Sequence, residues 1–410
     1  MTEPDANELL TVAQAMSILD ATPAVPRIAT VALEEAQGLR LAADVVADRD
    51  YPPFDKSQMD GIACLAADAA EVGRDLEVIG EIPAGSWPHK SVAPGQAMRI
   101  MTGAPLPSGA DTVVPVEFLD STTDRCRVMK PVKAGNAVAR RASEVTAGQV
   151  VLRRGTLLQP APLAVAATVG AAIVDVFDRP RVAVLTTGDE VVPFTESPGP
   201  AQIRNANSLL LSSLLYHANC DVTDLGIAPD RPDVLRAALR DGLAYDVFFV
   251  TGGMSMGDYD YVPALLGELG VDLKITKIKI KPGKPFVFGT LANADTPSSL
   301  THVFGLPGNP VSSFVCTTLL ALRLIARLTG SPPAPRMYTR TLATPLPPNG
   351  PREFYQPVRV DGDLAHPLAW KGSADVFTLA TANALLCRPE SQPALPAGAP
   401  LQVLPFADFA

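Results

Sequence analysis

Between Arg181 and Val250, strand-like and helix-like patterns alternate, and this alternation constrains the possible folds more than any other feature of the chain. The patterns are, in order, a strand at Arg181–Leu185, a helix at Ser208–Tyr216, a strand at Asp221–Gly226, a helix at Pro232–Leu243 and a strand at Asp246–Val250. Such alternation is typical of a parallel sheet with helices on both faces. Because ligands of these sheets bind beyond the carboxyl ends of the strands, a functional site is expected at that edge.

Outside this region the patterns are mostly those of β structure. Short strand-like runs separated by Gly and Pro extend from Arg49 to about Glu144, and β-like runs return after Ser331. A helical pattern over Glu8–Leu19 ends before Pro23. Because 410 residues exceed what one hydrophobic core supports, several domains are expected. The predicted fold class is α/β and β multidomain: a central layered α/β domain with a parallel-rich sheet, β-rich N-terminal domains and a small C-terminal β domain.

Composition argues against several classes of function. A net charge of −9 disfavours general nucleic-acid binding, which needs a basic surface. The five cysteines have no C-x-x-C spacing and the four histidines are dispersed, so no zinc site, disulfide framework or side-chain nucleophile is predicted. The acidic N-terminus lacks a signal-peptide pattern, and apolar runs such as Pro162–Val176 are too short to span a bilayer. A soluble cytoplasmic protein without a membrane or nucleic-acid partner is expected.

The strand-like run that ends at Val250 leads into a glycine pair and then into carboxylates. Gly252 and Gly253 let the backbone adopt positive φ, so that successive N–H groups can meet a phosphate or another oxyanion. A hydroxyl and two carboxylates that can hold a divalent cation follow at Ser255, Asp258 and Asp260. The alternative is an ordinary strand, turn and helix cap, because short glycine motifs recur by chance.

Two further segments favour an anion. In KIKIKPGKP, alternation with isoleucine puts Lys277, Lys279 and Lys281 on one side of a single predicted strand, where an oxyanion would relieve their repulsion. The alternative is a solvated edge strand that lysines protect from aggregation. In GLPGNP, Asn309 is positioned to cap a helix that Pro310 starts, and the free N–H groups of that helix favour an anion. A capped helix without a ligand is the alternative.

Polar residues also occur on predicted loops of the β-rich region. Asp55 and Asp60 lie in FDKSQMDG, and Thr102 lies in RIMTGAPLP. Acidic loop residues are usually only solvated, and a hydroxyl such as that of Thr102 faces a ligand only if another domain or subunit covers it. These patterns alone assign no chemistry to the loops.

Six segments form one ordered set: FDKSQMDGIA, RIMTGAPLPSGAD, LTTGDE, TGGMSMGDYDY, KIKIKPGKPFVFG and GLPGNPVSS. In this order they resemble the molybdopterin molybdenumtransferase family of molybdenum cofactor biosynthesis, to which the gephyrin E domain belongs, and the resemblance spans nearly the whole chain. It implies an enzyme that inserts molybdate into adenylylated molybdopterin and releases AMP with a divalent cation, usually Mg²⁺. A glycine turn suits the pyrophosphate of that substrate, and lysines suit the oxyanion.

The resemblance implies roles for residues at matching positions. Those expected in catalysis are Asp60, Thr102, Glu190, Asp260, Lys277 and Lys281. Those expected to bind the substrate are Gly252, Gly253, Ser255, Gly257, Asp258, Lys284, Pro307, Gly308, Asn309, Pro310 and Ser312. Molybdate is expected at Lys277, Lys281, Arg352 and Ser373, and Mg²⁺ at Asp230 and Asp260.

The resemblance also implies an elongated homodimer of four domains, in which Asp60 and Thr102 of one subunit complete the other subunit's site. The expected domains are residues 7–26 with 180–330 (molybdopterin-binding α/β domain), 27–48 with 145–179 (linking domain), 49–144 (β-rich domain completing the partner's site) and 331–410 (C-terminal β domain). A molybdopterin adenylyltransferase is the expected supplier, and molybdoenzymes or their chaperones are the expected recipients. Glu144 stands where an aspartate is typical and Ile62 where a tyrosine is typical, so neither receives a role.

Other functions share the α/β domain. A molybdopterin adenylyltransferase normally has T-G-G-T-G after the strand, where this chain has T-G-G-M-S-M-G, and it lacks the extra β domains. A non-catalytic scaffold of the same fold has no need for Asp60, Asp260, Lys277 and Lys281, all of which are present. A competence-associated pyrophosphatase-like protein would hydrolyse its substrate without molybdate.

Overall fold

The computed structural model describes residues 9–254, 261–292, 300–332 and 336–406. The chain divides into two compact units. The first, called the sheet unit, comprises Met1–Val31, Gly38–Ala42 and Asp175–Ala410, and the second, called the β unit, comprises Ala32–Gln37 and Ala43–Val174. The chain crosses from one unit to the other within the strands Ile28–Ala32 and Ile173–Phe177. It also crosses after Gln37 and after Ala42. The boundaries of the four expected domains stay a prediction.

A six-stranded sheet lies at the centre of the sheet unit. Its strand order is Asp221–Ala228, Arg181–Thr187, Val247–Thr251, Leu300–Leu306, Val287–Ala292 and Asp272–Ile275. The first four strands run parallel, and the last two are antiparallel to their neighbours. All residues of Val247–Thr251 are buried, as predicted for a strand covered on both faces. The parallel-rich α/β sheet is therefore confirmed.

Helices enclose this sheet and bury an apolar core on each of its faces. In the larger core the rings of Phe249 and Phe304 stack with centroids 5.1 Å apart. The first helix starts later than predicted because Thr11 and Gln14 cap it reciprocally. The helices are Val12–Ala21, Asn207–His217, Pro232–Gly242, Val262–Glu268, Pro310–Cys316 and Leu322–Leu328, with a π-helical turn at Thr317–Ala321 between the last two.

The helical stretch Pro310–Leu328 is the one described segment whose length and apolar character would allow it to cross a membrane. Its most apolar window is 89% buried inside the protein. That burial is typical of the core helix of a folded domain. It packs among the aromatic side chains of the larger core.

The C-terminal part of the sheet unit is a small closed β structure. Glu353–Asp361 pairs with both Leu364–Pro367 and Ala384–Arg388, and the circuit closes through Tyr338–Leu342 and Pro400–Pro405. A short helix, Val376–Thr381, precedes its last two strands. The predicted small C-terminal β domain is confirmed.

The single strand predicted for Lys277–Lys281 is wrong. Ile278 forms an isolated bridge with Leu10, and only Ile280–Lys281 forms a strand, parallel to Glu353–Phe354. The segment is divided because its two halves pair with different parts of the chain. The alternation survives, since both isoleucines are fully buried and the lysines are not.

The β unit contains a second six-stranded sheet, with the order Thr112–Pro115, Gly61–Cys64, Gln96–Ile100, Asp75–Ile82, Arg125–Val128 and Leu119–Ser121. Apolar cores lie on both of its faces. Smaller pairings join Lys56–Ser57 to Val138–Ala139 and Val45–Val46 to Val150–Leu152. The unit also contains the helix Pro160–Thr168 and 3₁₀ turns at Leu33–Glu35, Ala66–Ala69 and Val116–Phe118. In the sheet unit the corresponding small pairings are Val191–Val192 with Ile203–Arg204, and Arg40–Leu41 with Val176 and Phe177.

Candidate active site

The carboxyl ends of the parallel strands form one continuous edge in the sheet unit. Thr187, Thr251 and Leu306 end neighbouring strands there. The Gly252 N–H donates to the Leu306 carbonyl oxygen at 3.2 Å, so the turn after one strand is tied to the end of the next. We refer to this set of strand ends as the carboxyl edge. The sequence predicted a site here from the alternation of strands and helices.

Gly252 and Gly253 have φ angles of +93° and +62°, as the sequence predicted. A Cβ atom on Gly252 would lie 2.4 Å from the Thr187 carbonyl oxygen. Only glycine therefore fits this position, both for its backbone conformation and for its contact with the neighbouring strand. The backbone is open to the close approach of a ligand where side chains are excluded.

Two buried polar oxygens at this edge have no hydrogen-bond partner among the described residues. They are Thr187 Oγ1 and Asn207 Oδ1, on side chains that are 3% and 7% exposed respectively. The Asn207 amide nitrogen donates to the Gly308 carbonyl oxygen at 2.7 Å. Buried polar atoms are normally satisfied, so these two are candidates for contact with a ligand. The sequence analysis missed both, although Thr187 stands inside the LTTGDE segment.

The GLPGNP loop has a different capping arrangement from the one predicted. Asn309 occupies the N-cap position and Pro310 the first helical position, but the Asn309 side chain does not cap the helix. Its amide nitrogen donates to Ser373 Oγ at 2.9 Å, while the Val311 N–H donates to the Ser373 carbonyl oxygen at 3.1 Å. The loop from the C-terminal β structure thus caps the helix. The Ser313 hydroxyl donates a hydrogen bond to the Pro307 carbonyl oxygen at 2.6 Å.

A cavity of about 440 Å³ opens between KPGKP, GLPGNP and the loop around Ser373. We refer to it as the cationic cavity, because four basic side chains line it. Its lining residues are Lys281, Pro282, Gly283, Lys284, Pro285, Pro307, Asn309, Ser312, Arg352, Trp370, Lys371, Gly372 and Ser373. The structure therefore brings together most residues predicted for molybdate and several predicted for substrate. Lys277 is not among its lining residues.

Aromatic rings hold the Lys281 ammonium group within this cavity. The ammonium nitrogen lies 4.5 Å from the centroid of the Phe354 ring, and the Phe354 and Trp370 ring centroids are 5.2 Å apart. Attraction between an ammonium group and a ring face restricts the positions of the lysine. By contrast, Lys279 pairs with Glu390 at 2.6 Å, so an acidic residue of the protein offsets its charge. Phe354 and Trp370 were not predicted, because they lie far from Lys281 in sequence.

A second cavity, of about 510 Å³, lies at the outer end of the same edge. We refer to it as the edge cavity. It is lined by Gly188, directly after Thr187, by residues of the strand Asp221–Ala228 and by Ser208 of the helix Asn207–His217. Its lining residues are Gly188, Asp189, Val191, Pro193, Phe194, Asn205, Ser208, Asp224, Gly226, Ile227 and Pro229. The LTTGDE segment contains Gly188 and Asp189 of this lining, but the sequence analysis assigned a role in that segment only to Glu190.

Acidic residues cluster beside the edge cavity. Asp189 Oδ1 accepts the Asp230 backbone N–H at 3.1 Å, so the loops that follow two neighbouring strands meet there. A Cβ atom on Gly188 would lie 2.6 Å from Glu190 Oε2, which places that carboxylate close to the same turn. No group of three or more potential metal-ligating side chains occurs within the described ranges. One or two carboxylates can be enough protein ligands for Mg²⁺, which takes its remaining ligands from water and phosphate oxygens.

In the β unit, the structure joins two residues that the sequence left on separate loops. Asp60 Oδ1 accepts hydrogen bonds from both the Thr102 N–H and the Thr102 hydroxyl, each at 2.7 Å. The backbone N–H, followed by the hydroxyl, holds the pKa of the Asp60 carboxyl below its usual value. The carboxylate is thus ionised and fixed in orientation. Asp55 instead pairs with Arg140 at 2.6 Å.

Four predicted site residues, Ser255, Gly257, Asp258 and Asp260, lie outside the described residues. The roles assigned to the other site residues stay predictions, because their positions alone do not establish what they bind. Pro307 and Gly308 lie in the loop between the strand Leu300–Leu306 and the helix Pro310–Cys316, and Pro310 starts that helix.

Comparisons with known proteins cover the whole organisation of the chain. Residues 10–170 match the MoeA N-terminal region (domain I and II), residues 183–327 a probable molybdopterin binding domain, and residues 339–406 the MoeA C-terminal region (domain IV). The molybdopterin molybdenumtransferase of Bacillus subtilis is 33% identical over 91% of this chain and 89% of its own length. Molybdopterin molybdenumtransferase 2 of Mycobacterium tuberculosis is 34% identical over 91% of this chain and 94% of its own length.

A solved structure shows the same fold. The crystal structure of the molybdopterin biosynthesis moeA protein from Pyrococcus horikosii has a TM-score of 0.84 and 29% identity, and the similarity covers 97% of this chain and 99% of that one. An adenylyltransferase with the α/β domain alone would not account for the matches on both sides of residues 183–327. The motifs, the domains and the full-length relatives agree, and the chain belongs to the molybdopterin molybdenumtransferase family.

Proposed function

We propose that this protein inserts molybdate into adenylylated molybdopterin and releases AMP, in a magnesium-dependent reaction. The supporting observation is the continuity of the carboxyl edge. The Gly252–Gly253 turn contacts Thr187 on one side and the end of the strand Leu300–Leu306 on the other, and it lies between the cationic cavity and the acidic residues. A phosphoanhydride suits the turn, and an oxyanion suits the cavity. Family membership supplies the class of substrate.

In the proposed reaction a molybdate oxygen attacks the adenylyl phosphorus, and the phosphoanhydride bond breaks. AMP leaves with the attacking oxygen, and molybdopterin keeps its own phosphate. The molybdenum that has given up this oxygen is bound by the dithiolene sulfurs. Lys281, Lys284 and Arg352 are proposed to hold the molybdate, with Lys277, Ser312 and Ser373 as further contacts. No side-chain nucleophile is needed, because preorganised charge lowers the barrier.

Asp230 and Asp260 are proposed to hold Mg²⁺. The contact between Asp189 and the Asp230 backbone supports this assignment, because it brings a second carboxylate to the same turn. When bound there, Mg²⁺ supplies positive charge against the phosphate oxygens of the substrate. Glu190 is proposed to act at this end of the site.

A homodimer is proposed, in which Asp60 and Thr102 of one subunit complete the site of the other. The ionised and oriented Asp60 carboxylate supports a role in recognition or catalysis rather than in solvation alone. The proposed location is the cytoplasm. A molybdopterin adenylyltransferase is proposed to supply the substrate, and molybdoenzymes or their chaperones to receive the product.

The deciding experiment is AMP release from adenylylated molybdopterin with Mg²⁺, with and without molybdate. The wild-type protein is expected to require molybdate. Lys281→Ala and Asp260→Ala are each expected to raise the barrier by about 2–4 kcal/mol, the scale for one preorganised charged group. Lys279→Ala is the matched control, because Lys279 belongs to the same segment but pairs with Glu390 and does not line the cavity. This control is expected to keep wild-type activity.

The other outcomes identify the rival functions. AMP release that does not depend on molybdate would indicate a hydrolase, and release in neither condition would indicate a scaffold. Formation of adenylylated molybdopterin from ATP and molybdopterin would indicate an adenylyltransferase. Equal loss in Lys279→Ala and Lys281→Ala would contradict the assignment of the cationic cavity to molybdate.

A further inference from the structure

We propose that the cationic cavity selects tetrahedral oxyanions that carry no proton, such as molybdate, tungstate and sulfate, and rejects those that carry one, such as phosphate and arsenate. The inference rests on the proposed function for the substrate of this cavity, and it adds how that substrate is told apart from phosphate. At neutral pH the molybdate ion has acceptor oxygens only, whereas hydrogen phosphate also has an O–H group that must donate. A cavity that offers donors and no strong acceptor therefore distinguishes the two kinds of ion.

The charged side chains in the described lining of the cationic cavity are all hydrogen-bond donors. They are Lys281, Lys284, Arg352 and Lys371, and the described lining contains no Asp or Glu. Ammonium and guanidinium groups donate hydrogen bonds and have no acceptor capacity. Trp370 adds an indole N–H that is buried and has no partner among the described residues, and this group too can only donate. These side chains therefore match an ion whose oxygens are all acceptors.

The carboxylates that follow Lys371 and Arg352 in sequence are engaged within the protein. Asp375 accepts the Lys371 N–H at 3.0 Å and also caps the helix Val376–Thr381. Glu353 accepts the hydroxyl of Tyr355, a side chain that is only 1% exposed. Neither carboxylate is among the lining residues of the cavity. Two acidic groups that lie close to the basic ones in sequence are thus unavailable to accept a proton from a bound anion.

Backbone carbonyl oxygens of the lining residues also have partners within the protein. The residues whose carbonyl oxygens accept such hydrogen bonds are Lys284, Pro307, Asn309, Gly372 and Ser373. The Lys284 oxygen accepts two, from the N–H groups of Ile278 at 3.1 Å and Phe286 at 3.0 Å. A carbonyl oxygen has two lone pairs, so these bonds take up much of its acceptor capacity. A ligand O–H group would have to compete with the protein for these oxygens.

The side-chain acceptors in the described lining are neutral. Ser373 Oγ accepts the Asn309 amide at 2.9 Å, which leaves the Ser373 hydroxyl to act as a donor. The Asn309 amide oxygen and the Ser312 hydroxyl can accept, but hydrogen bonds between neutral groups are about half as strong as those with an ionised partner. A hydrogen phosphate ion in this cavity would therefore face donors with its own O–H group poorly satisfied. A polar group left in that state lowers affinity.

The test measures how well sulfate, tungstate, phosphate and arsenate displace molybdate from the wild-type protein, by calorimetric titration at neutral pH. Because each competitor must displace molybdate, phosphate that binds only at the Gly252 turn is not counted. Sulfate and tungstate are expected to displace molybdate at least about ten-fold more effectively than phosphate or arsenate, the scale for one unsatisfied polar group. Lys281→Ala should remove the molybdate signal, which shows that the signal comes from the cationic cavity.

A change at Asn309 tests the lack of a strong acceptor directly. Asn309→Asp places a carboxylate at the cavity and keeps a residue type that is favoured at the N-cap position. It is expected to weaken binding of sulfate and to raise the ratio of phosphate affinity to sulfate affinity about ten-fold. Asn309→Ser is the matched control, because it removes the same amide without adding a carboxylate, and it should keep the wild-type ratio. The melting temperature of each variant shows whether it is folded.

Equal displacement by phosphate and sulfate in the wild-type protein would overturn the proposal, and so would failure of both molybdate and sulfate to bind. The same affinity ratio in Asn309→Asp and Asn309→Ser would overturn it as well. Molybdate-dependent AMP release by the wild-type protein is measured in parallel. If that release is absent while sulfate displaces molybdate better than phosphate does, the proposed reaction fails and the selectivity stands. If release is present and phosphate displaces molybdate as well as sulfate does, only the selectivity fails.

Discussion

The carboxyl and amino edges of the central sheet both bury polar atoms that lack partners among the described residues, in very different surroundings. At the carboxyl edge, Thr187 and Asn207 adjoin turns that lead into cavities of about 510 and 440 Å³. At the amino edge, neither ring nitrogen of His302 has a partner within the described part of the chain, and the adjoining cavity measures about 40 Å³. The smaller volume suits water, and the larger ones suit substrates.

Charge separates the two edges as well. Around His302 the charges are paired: Arg27 contacts Asp178 at 3.0 Å and Asp246 at 3.2 Å, and Arg181 contacts Asp246 at 3.0 Å. At the carboxyl edge, basic side chains from three distant segments converge on one cavity. An unpartnered buried polar atom therefore indicates a ligand site only when the adjoining space and charge also suit a ligand.

The largest expected effect tests whether the carboxyl edge depends on backbone that only glycine can form. Gly252→Ala is expected to cost about 3 kcal/mol of unfolding free energy and to abolish turnover, because the added Cβ would meet the Thr187 carbonyl oxygen at 2.4 Å and φ is +93°. Gly267→Ala is the control, since a Cβ there has no neighbour within 4 Å and the residue lies in the helix Val262–Glu268. It should be neutral or stabilising by up to about 1 kcal/mol. Chemical denaturation and AMP release measure both, and similar losses in the two variants would contradict the argument.

For the amino edge, we predict an effect on the folding stability of the protein in acid rather than on ligand binding. Burial, followed by the Arg327 charge, lowers the pKa of His302 from 6.5 to about 4, while Asp246 opposes the shift. Between these values the unfolded chain binds more protons than the folded protein, so folding stability falls as the pH falls from about 6.5 to 4. The expected loss of folding stability is about 3 kcal/mol between these two pH values, and His302 causes no further loss at lower pH. His302→Leu should remove this part of the pH dependence of denaturant unfolding, and an unchanged pH profile would refute it.

Removing one hydroxyl from the carboxyl edge should separate stability from binding. Thr187→Val deletes a buried hydroxyl that has no partner among the described residues, so the free protein is expected to gain about 1 kcal/mol. The same change should weaken AMP binding about ten-fold if that hydroxyl meets the ligand. Thr186→Val is the contrast, because the Thr186 hydroxyl accepts the Asn205 amide at 3.1 Å and its loss should be destabilising. Tighter or unchanged AMP binding in Thr187→Val would contradict a contact between this hydroxyl and the ligand. The unpartnered polar atoms of the two edges would then be alike in having no role in binding.

The comparison also explains what the sequence could predict. The strand Val247–Thr251 and the positive φ angles of Gly252 and Gly253 follow from local composition, and the structure confirms them. The cationic cavity depends on Arg352 and Trp370, which lie far along the chain from Lys281 and leave no local pattern. Resemblance to a family supplied Arg352 and Ser373, and for the edge cavity it supplied the LTTGDE segment that contains Gly188 and Asp189, but it supplied nothing for Phe354 or Trp370. The backbone of this turn was therefore predictable from local pattern. The division of the predicted strand Lys277–Lys281 and the convergence of side chains were not, because both depend on distant segments.

The smallest expected effect concerns how the carboxyl edge positions one lysine. Phe354 lies 6% exposed beneath the Lys281 ammonium group, so Phe354→Leu should raise the KM for molybdate about three-fold by loss of the ring attraction, with little change in AMP affinity. Phe354→Tyr keeps a ring face and should restore the wild-type KM, whereas a purely structural role would move stability and both affinities together. Because Arg388 also lies over this ring, 5.8 Å from its centroid, the melting temperature of each variant is measured alongside. A molybdate KM that follows the melting temperature rather than the presence of a ring would show that packing alone holds Lys281 in place.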